Sequence, residues 1–297
     1  MTRRRGKAPV QNDVVAVESL ARRYGNVTAL AGVSFSAKAG EIFGIIGPDG
    51  AGKTTLFRII ATLLVQDSGR ASVCGFDTGS EYRKIRRLVG YMPGRFSLYQ
   101  DLTVRENLEF FASVFGANVE ENRYLVEDIY AQIEPFADRR AGALSGGMKQ
   151  KLALCCALIH RPEALFLDEP TTGVDPVSRK EFWDMLARLR GAGLCIVVST
   201  PYMDEASLCD RVAFIKDGRF LALDTPQAIG DSFSGELFSV RGDRMFHLLS
   251  ALRSIEGVQS CYAFGDSHHV TASRGSFTPE VIEASLARLR SDLDARR

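Results

Sequence analysis

Two glycine-bearing stretches and one acidic pair carry the chemistry legible in this chain. Gly47-Pro48-Asp49-Gly50-Ala51-Gly52-Lys53-Thr54-Thr55 has the spacing G-x-x-x-x-G-K-T, the pattern of a phosphate-cradling loop. Its glycines let successive backbone N–H groups curl around an anion without Cβ clashes. Lys53 is spaced to reach the β- and γ-phosphates of a nucleotide, and the Thr54 hydroxyl to ligate Mg²⁺. Asp168-Glu169 closes an apolar run well downstream. Beside a phosphate loop, one carboxylate there holds Mg²⁺ and the other polarises an attacking water. Asp168 is assigned to the metal and Glu169 to the general base. Leu144-Ser145-Gly146-Gly147-Met148-Lys149-Gln150 offers a second site of bare N–H groups, with Ser145 as the N-cap of a helix. One nucleotide has no evident need of both loops from one surface. Two chains facing head to tail would use both.

The elements that position these groups follow from the apolar patterning. Residues 42–46 read as a buried strand entering the loop, and residues 56–64 as the helix leaving it. Strands are also expected at 14–20, 30–36, 71–74, 88–92, 164–167 and 194–199, with Tyr24-Gly25 in a loop. A hairpin turns at Asp217-Gly218. Helical spacing runs through 104–115 and 119–136, and helices are expected at 148–160 and 179–190. Strands alternating with helices argue for a parallel α/β core, and the insertion at about 95–160 for a helical lobe. From residue 236 the order becomes β-α-β-β-α, ending in a helix at 279–293.

Composition narrows the classes. The chain has 297 residues and a net charge of +1, so no broad basic surface suits a nucleic acid. Six cysteines without a C-x-x-C pair fit reduced thiols better than a disulfide framework. Residues 1–12 form a basic tail without the apolar core of a signal peptide. No run approaches the roughly 18 apolar residues that span a bilayer.

Together the motifs resemble an ABC-transporter ATP-binding subunit over residues 14–230. The phosphate loop, the signature segment 144–150, the Walker B run 165–169 and Gly173-Val174-Asp175-Pro176 all take part. Gly47-Pro48-Asp49-Gly50 resembles the first half of two-cassette multidrug-type exporters, where Asp replaces the usual Asn. The resemblance implies a P-loop NTPase core with an antiparallel β subdomain and helical lobe at 13–232. A small α+β domain at 236–297 resembles that of ABC-2-type exporter subunits. The implied ligands are ATP and Mg²⁺. Contacts fall on Tyr24 (stacked on adenine), Gly47 to Thr55, and Ser145, Gly146 and Gly147, with Thr54 and Asp168 on the metal. Implied partners are a membrane permease, docking on residues 95–111, and a second cassette, with no nucleic acid. The implied location is cytoplasmic, peripheral on the inner face of the cell membrane.

Two family residues are absent. Gly94 stands where a Gln contacts Mg²⁺ and the attacking water, and Pro201 where a His contacts the γ-phosphate. These changes imply slow hydrolysis at the chain's own site and an asymmetric heterodimer. A regulatory ATP-binding subunit and a soluble, non-transport ABC ATPase are the competing readings.

Overall fold

The computed structural model describes residues 13–232, 235–242, 245–273 and a few positions between 278 and 287. The tail at 1–12 and most of the helix expected at 279–293 lie outside the described residues. The chain divides between Pro226 and Gln227 into two compact units.

The first unit begins with β1 (Asp13–Tyr24) and β2 (Val27–Lys38), two antiparallel strands whose register shifts at several bulges. Tyr24 closes β1 rather than sitting in a loop, because its backbone pairs with Val27. Next come β3 (Ile42–Ile46), α1 (Lys53–Ile60), β4 (Ser68–Val73), β5 (Phe76–Asp77), α2 (Tyr82–Leu88) and β6 (Val89–Met92). The lobe that follows holds α3 (Val104–Val114), α4 (Val119–Asn122), α5 (Glu127–Tyr130) and α6 (Gly146–Leu158). The chain re-enters the core through β7 (Ala164–Asp168), α7 (Pro176–Gly191), β8 (Cys195–Thr200), β9 (Arg211–Lys216) and β10 (Arg219–Asp224).

Two sheets result, ordered β2-β1-β4-β5 and β10-β9-β3-β8-β7-β6. In the second, β9, β3, β8, β7 and β6 run parallel to one another and β10 is antiparallel to β9. Every residue of β3, β7 and β8 is buried, which is why they read as unbroken apolar runs. Phe43, Ile45, Phe57, Phe166 and Val197 join Val15, Leu30 and Phe35 in one core that ties the two sheets to α1. The hairpin between β9 and β10 turns on Asp217 and Gly218, with φ of 49° and 72°, the paired positive angles of a type I′ turn. Its tip is bonded on both sides: Gly218 N–H donates to Ala51 at 3.1 Å, and Ala31 N–H donates to Gly218 at 2.9 Å.

The helix expected across 119–136 is broken into short turns. Asn118 caps α4 through Glu120 N–H at 2.9 Å, and Asn122 leaves the helix to donate to the Ile159 carbonyl at 2.8 Å. Pro135 then removes a donor from the next turn. The apolar spacing persists because Val126, Ile129, Tyr130 and Ile133 are buried, although they come from short separate turns rather than one helix. Helix α6 starts at Gly146, two residues earlier than expected, and ends at Leu158.

Near and within the second unit come α8 (Pro226–Ser232), which the sequence reading missed, β11 (Gly235–Val240), α9 (Met245–Arg253), β12 (Val258–Phe264) and β13 (Ser267–Ser273). The sheet is ordered β11-β13-β12, and Leu248 and Leu252 of α9 pack on Cys261, Val270 and Ala272.

Candidate functional site

The phosphate loop leaves the carboxyl end of the central strand β3 and bends tightly. A Cβ on Gly47 would lie 2.2 Å from the Ile215 carbonyl, and one on Gly52 would lie 2.3 Å from that of Ala29. Gly52 also has φ 108°, so both positions require glycine for reasons visible in the fold. Gly52 caps α1 without any side-chain hydrogen bond, leaving the first-turn N–H groups for an anion. Lys53 is only 3% exposed. Its Nζ donates to the carbonyls of Gly47 at 2.8 Å and Pro48 at 3.0 Å, and pairs with Glu169 Oε1 at 3.0 Å. Asp49 extends from the crest of the loop, 89% exposed, 3.9 Å from the same ammonium.

Asp168 ends β7 beside Ser199, its register partner on β8. The Ser199 hydroxyl donates to Asp168 at 2.7 Å and accepts from Glu169 N–H at 3.0 Å. Burial pushes the Asp168 carboxyl above its usual pKa; hydrogen bonds from Ser199 and Thr54 oppose the rise, and the Glu169 charge adds to it. A carboxylate desolvated beyond what its neighbours compensate fits a cation ligand. Thr54 and Asp168 are therefore the residues that could hold Mg²⁺. Glu169 itself has φ 52°, a left-handed backbone for a non-glycine residue. Thr55 is half-buried in the first turn of α1.

Tyr24 pairs with Val27 at the start of β2, two residues before Ala29, which lies against Gly52. It is 44% exposed, and the Arg22 guanidinium lies 5.3 Å from its ring centroid. Asp67 holds that guanidinium at 2.5 Å. The signature segment stands elsewhere in the unit. Ser145 Oγ accepts from Met148 N–H at 3.3 Å, and Gly147 lies so close to α7 that a Cβ would meet Ser178 Oγ at 2.6 Å. Asp175 caps α7 through Val177 and Ser178 N–H groups, which hold its carboxyl below the usual range.

The ABC transporter family model matches residues 30–172. The Nod factor export ATP-binding protein I of Burkholderia orbicola is 43% identical over 72% of this chain and 71% of its own length. The chain belongs to the ABC transporter ATP-binding family. The probable multidrug ABC transporter ATP-binding protein YbhF of Escherichia coli K12 is 42% identical over 76% of this chain, which spans only 40% of that protein's length. A solved dimeric ATP-binding cassette in a post-hydrolysis state with ADP and phosphate aligns with TM-score 0.64 at 28% identity, over 71% of this chain and 98% of that one.

One edge of the site carries no polar side chain. A Cβ on Gly94 would lie 3.0 Å from the Asp168 carbonyl and 3.8 Å from Glu169 Cβ. Gly94 thus stands beside the two carboxylates and offers them no ligand atom. Pro201 follows Thr200, whose carbonyl accepts from Gly47 N–H at 3.3 Å, and offers no donor either. Gly94 and Glu169 line one cavity of about 530 Å³ with Phe96, Phe111 and Phe115 of the helical lobe. Sequence reasoning missed Ser199, Arg22 and Asp67. Only strand order, which pairs Asp168 with Ser199, reveals the first. No helix among the described residues is long and apolar enough to cross a membrane.

Proposed function

We propose that this cassette is the ATP-binding and hydrolysing subunit of an exporter. ATP closes a head-to-tail pair of cassettes, hydrolysis reopens it, and the motion drives a separate ABC-2-type membrane subunit from the cytoplasmic face. Relatives named for multidrug transport and Nod factor export support the exporter reading. In this reading Tyr24 stacks on adenine, and Gly47, Pro48, Asp49, Gly50, Ala51, Gly52, Lys53, Thr54 and Thr55 cradle the phosphates. Thr54 and Asp168 hold Mg²⁺, which supplies charge neutralisation at the phosphates. Glu169 acts as general base once a phosphate competes for Lys53. Ser145, Gly146 and Gly147 complete the site of the partner cassette. The groove containing Phe96 and Phe111 receives a helix of the membrane subunit.

The chain's own site turns over slowly, and its partner is a different cassette that carries the missing Gln and His. The observation behind this is Gly94, set against Asp168 and Glu169 with no side chain. Each positioned polar group of this kind is worth about 10²–10⁴-fold in rate. The same observation favours one further reading, a regulatory subunit that binds ATP and turns over little.

Mg-ATPase assays on the full chain, alone and with a Gln- and His-bearing cassette, test the proposal. Low turnover alone and stimulation by the partner are expected, and Gly94→Gln with Pro201→His should raise the intrinsic rate at least ~10-fold. Rapid turnover by the chain alone, abolished by Glu169→Gln, would falsify the slow-site proposal. No stimulation by the partner favours the regulatory reading.

A further inference from the structure

Glu205 lies in the short helical segment Met203–Leu208 that follows β8. It is 2% exposed, and nothing in the phosphate cradle uses it. Its Oε1 accepts the Thr171 hydroxyl at 2.8 Å, and Thr171 is itself 1% exposed. Arg179, near the start of α7, brings Nε to 3.9 Å from the same oxygen. The Arg179 guanidinium also reaches Asp204 at 3.5 Å and lies 4.9 Å from the Tyr202 ring centroid. Glu205 Oε2 is buried without a hydrogen-bond partner. A carboxylate this deep, with one hydroxyl and one distant guanidinium, is an expensive way to fill space.

What it joins explains its presence. On one side is the segment after Thr200, whose carbonyl receives the Gly47 N–H at the entrance to the phosphate loop. On the other is the turn after Glu169, with Thr171 two residues on. Glu169 adopts a left-handed backbone that a non-glycine residue keeps only where its surroundings hold it. Ser199 holds that backbone from the strand side, through Glu169 N–H. On the far side the chain runs through Pro170 to Thr171, and Glu205 anchors the Thr171 hydroxyl.

We propose that Glu205, acting through the Thr171 hydroxyl, is a positioning residue that keeps Glu169 aimed at the phosphate loop. The proposal rests on Glu169 being the general base. In a chain whose Gly94 and Pro201 offer no polar side chain to the γ-phosphate, this buried tie adds to the Lys53 pair in aligning the base.

Single-turnover hydrolysis of Mg-ATP by excess full chain tests it, with affinity for a fluorescent ATP analogue and the melting temperature read in parallel. Thr171→Val is expected to slow hydrolysis at least ~10-fold, the scale of one lost buried hydrogen bond to a charged group, and Glu205→Gln, whose amide oxygen still accepts the hydroxyl, by less. Analogue affinity should stay within about 2-fold, since the Lys53 cradle is separate, and Thr171→Ser, which keeps the hydroxyl, should restore the rate. The proposal is overturned if Thr171→Val hydrolyses within 2-fold of the unaltered chain. It is equally overturned if affinity falls in step with rate, or if Thr171→Ser is as slow as Thr171→Val. Should Glu205→Gln not fold, the two Thr171 variants decide alone. Glu169→Gln is the control: a retained rate there removes the base reading and this proposal with it. A Glu169→Gln loss without a Thr171→Val loss removes only this proposal.

Discussion

Helices α1 and α6 both have a glycine at their start, yet they are built for different work. At α1 the capping position is Gly52, with no side-chain bond, and the next residue is a buried lysine facing Glu169. At α6 the cap is Ser145, whose hydroxyl is already engaged by Met148 N–H, and Gly147 is there to let α7 approach. The first start is open and charged. The second is satisfied within its own chain and presents neutral donors. The difference teaches that a glycine-rich helix start becomes a phosphate cradle through what stands beside it.

The strongest way to break this comparison is to remove the cation. Lys53→Ala should weaken ATP binding roughly 10–100-fold, the range of a charge-assisted hydrogen bond, as read by calorimetry. The comparison fails if Ser145→Ala weakens ATP binding by the chain alone as much. That second variant should instead cost about 1 kcal/mol of stability through its lost cap. The cost appears as a fall of roughly 2–4 °C in melting temperature, with the chain's own ATP affinity unchanged.

The smallest effect concerns Asp168, which only the first start has beside it. Its folded pKa is raised by burial, so the folded chain holds this proton more tightly than the unfolded one. The group therefore lowers stability as pH rises from about 4, the unfolded carboxylate value. Asp168→Asn should raise the melting temperature at pH 7, with the gain closing towards pH 4, while abolishing the Mg²⁺-dependent part of ATP binding. Thermal melts at the two pH values, with and without Mg-ATP, check both halves. A variant less stable than the parent at pH 7 would contradict the desolvation account.

Much of the core was legible because its signals are local. Strand β3 falls on the expected residues since four apolar side chains flanking Gly44 have no other use between Gly40 and Gly47. The turn at Asp217-Gly218 follows from residue types that accept positive φ. Ser145 was readable as a cap for the same local reason. Where tertiary contacts decide, the pattern misled. Residues 119–136 carry helical spacing, but Asn122 turns to the Ile159 carbonyl and Pro135 interrupts the chain. Tyr24 is held in β1 by a partner strand its own neighbourhood does not announce. The bonds from Ser199 to Asp168 and from Thr171 to Glu205 join residues more than thirty positions apart, and no spacing rule finds them. Gly94 stood out in the sequence only through the family resemblance, and its nearness to Asp168 was not legible there at all.

The hairpin tip at Gly218 has a consequence for measurement. It is bonded to Ala51 in the phosphate loop and to Ala31 in β2, and a Cβ there would press on the Ala29 carbonyl at 2.7 Å. The edge that carries Tyr24 and the loop that carries Lys53 are thereby fastened together like the fixed jaw of a caliper. Under the proposed function, a bound phosphate chain would then be gauged on the side of Gly94 and Glu169.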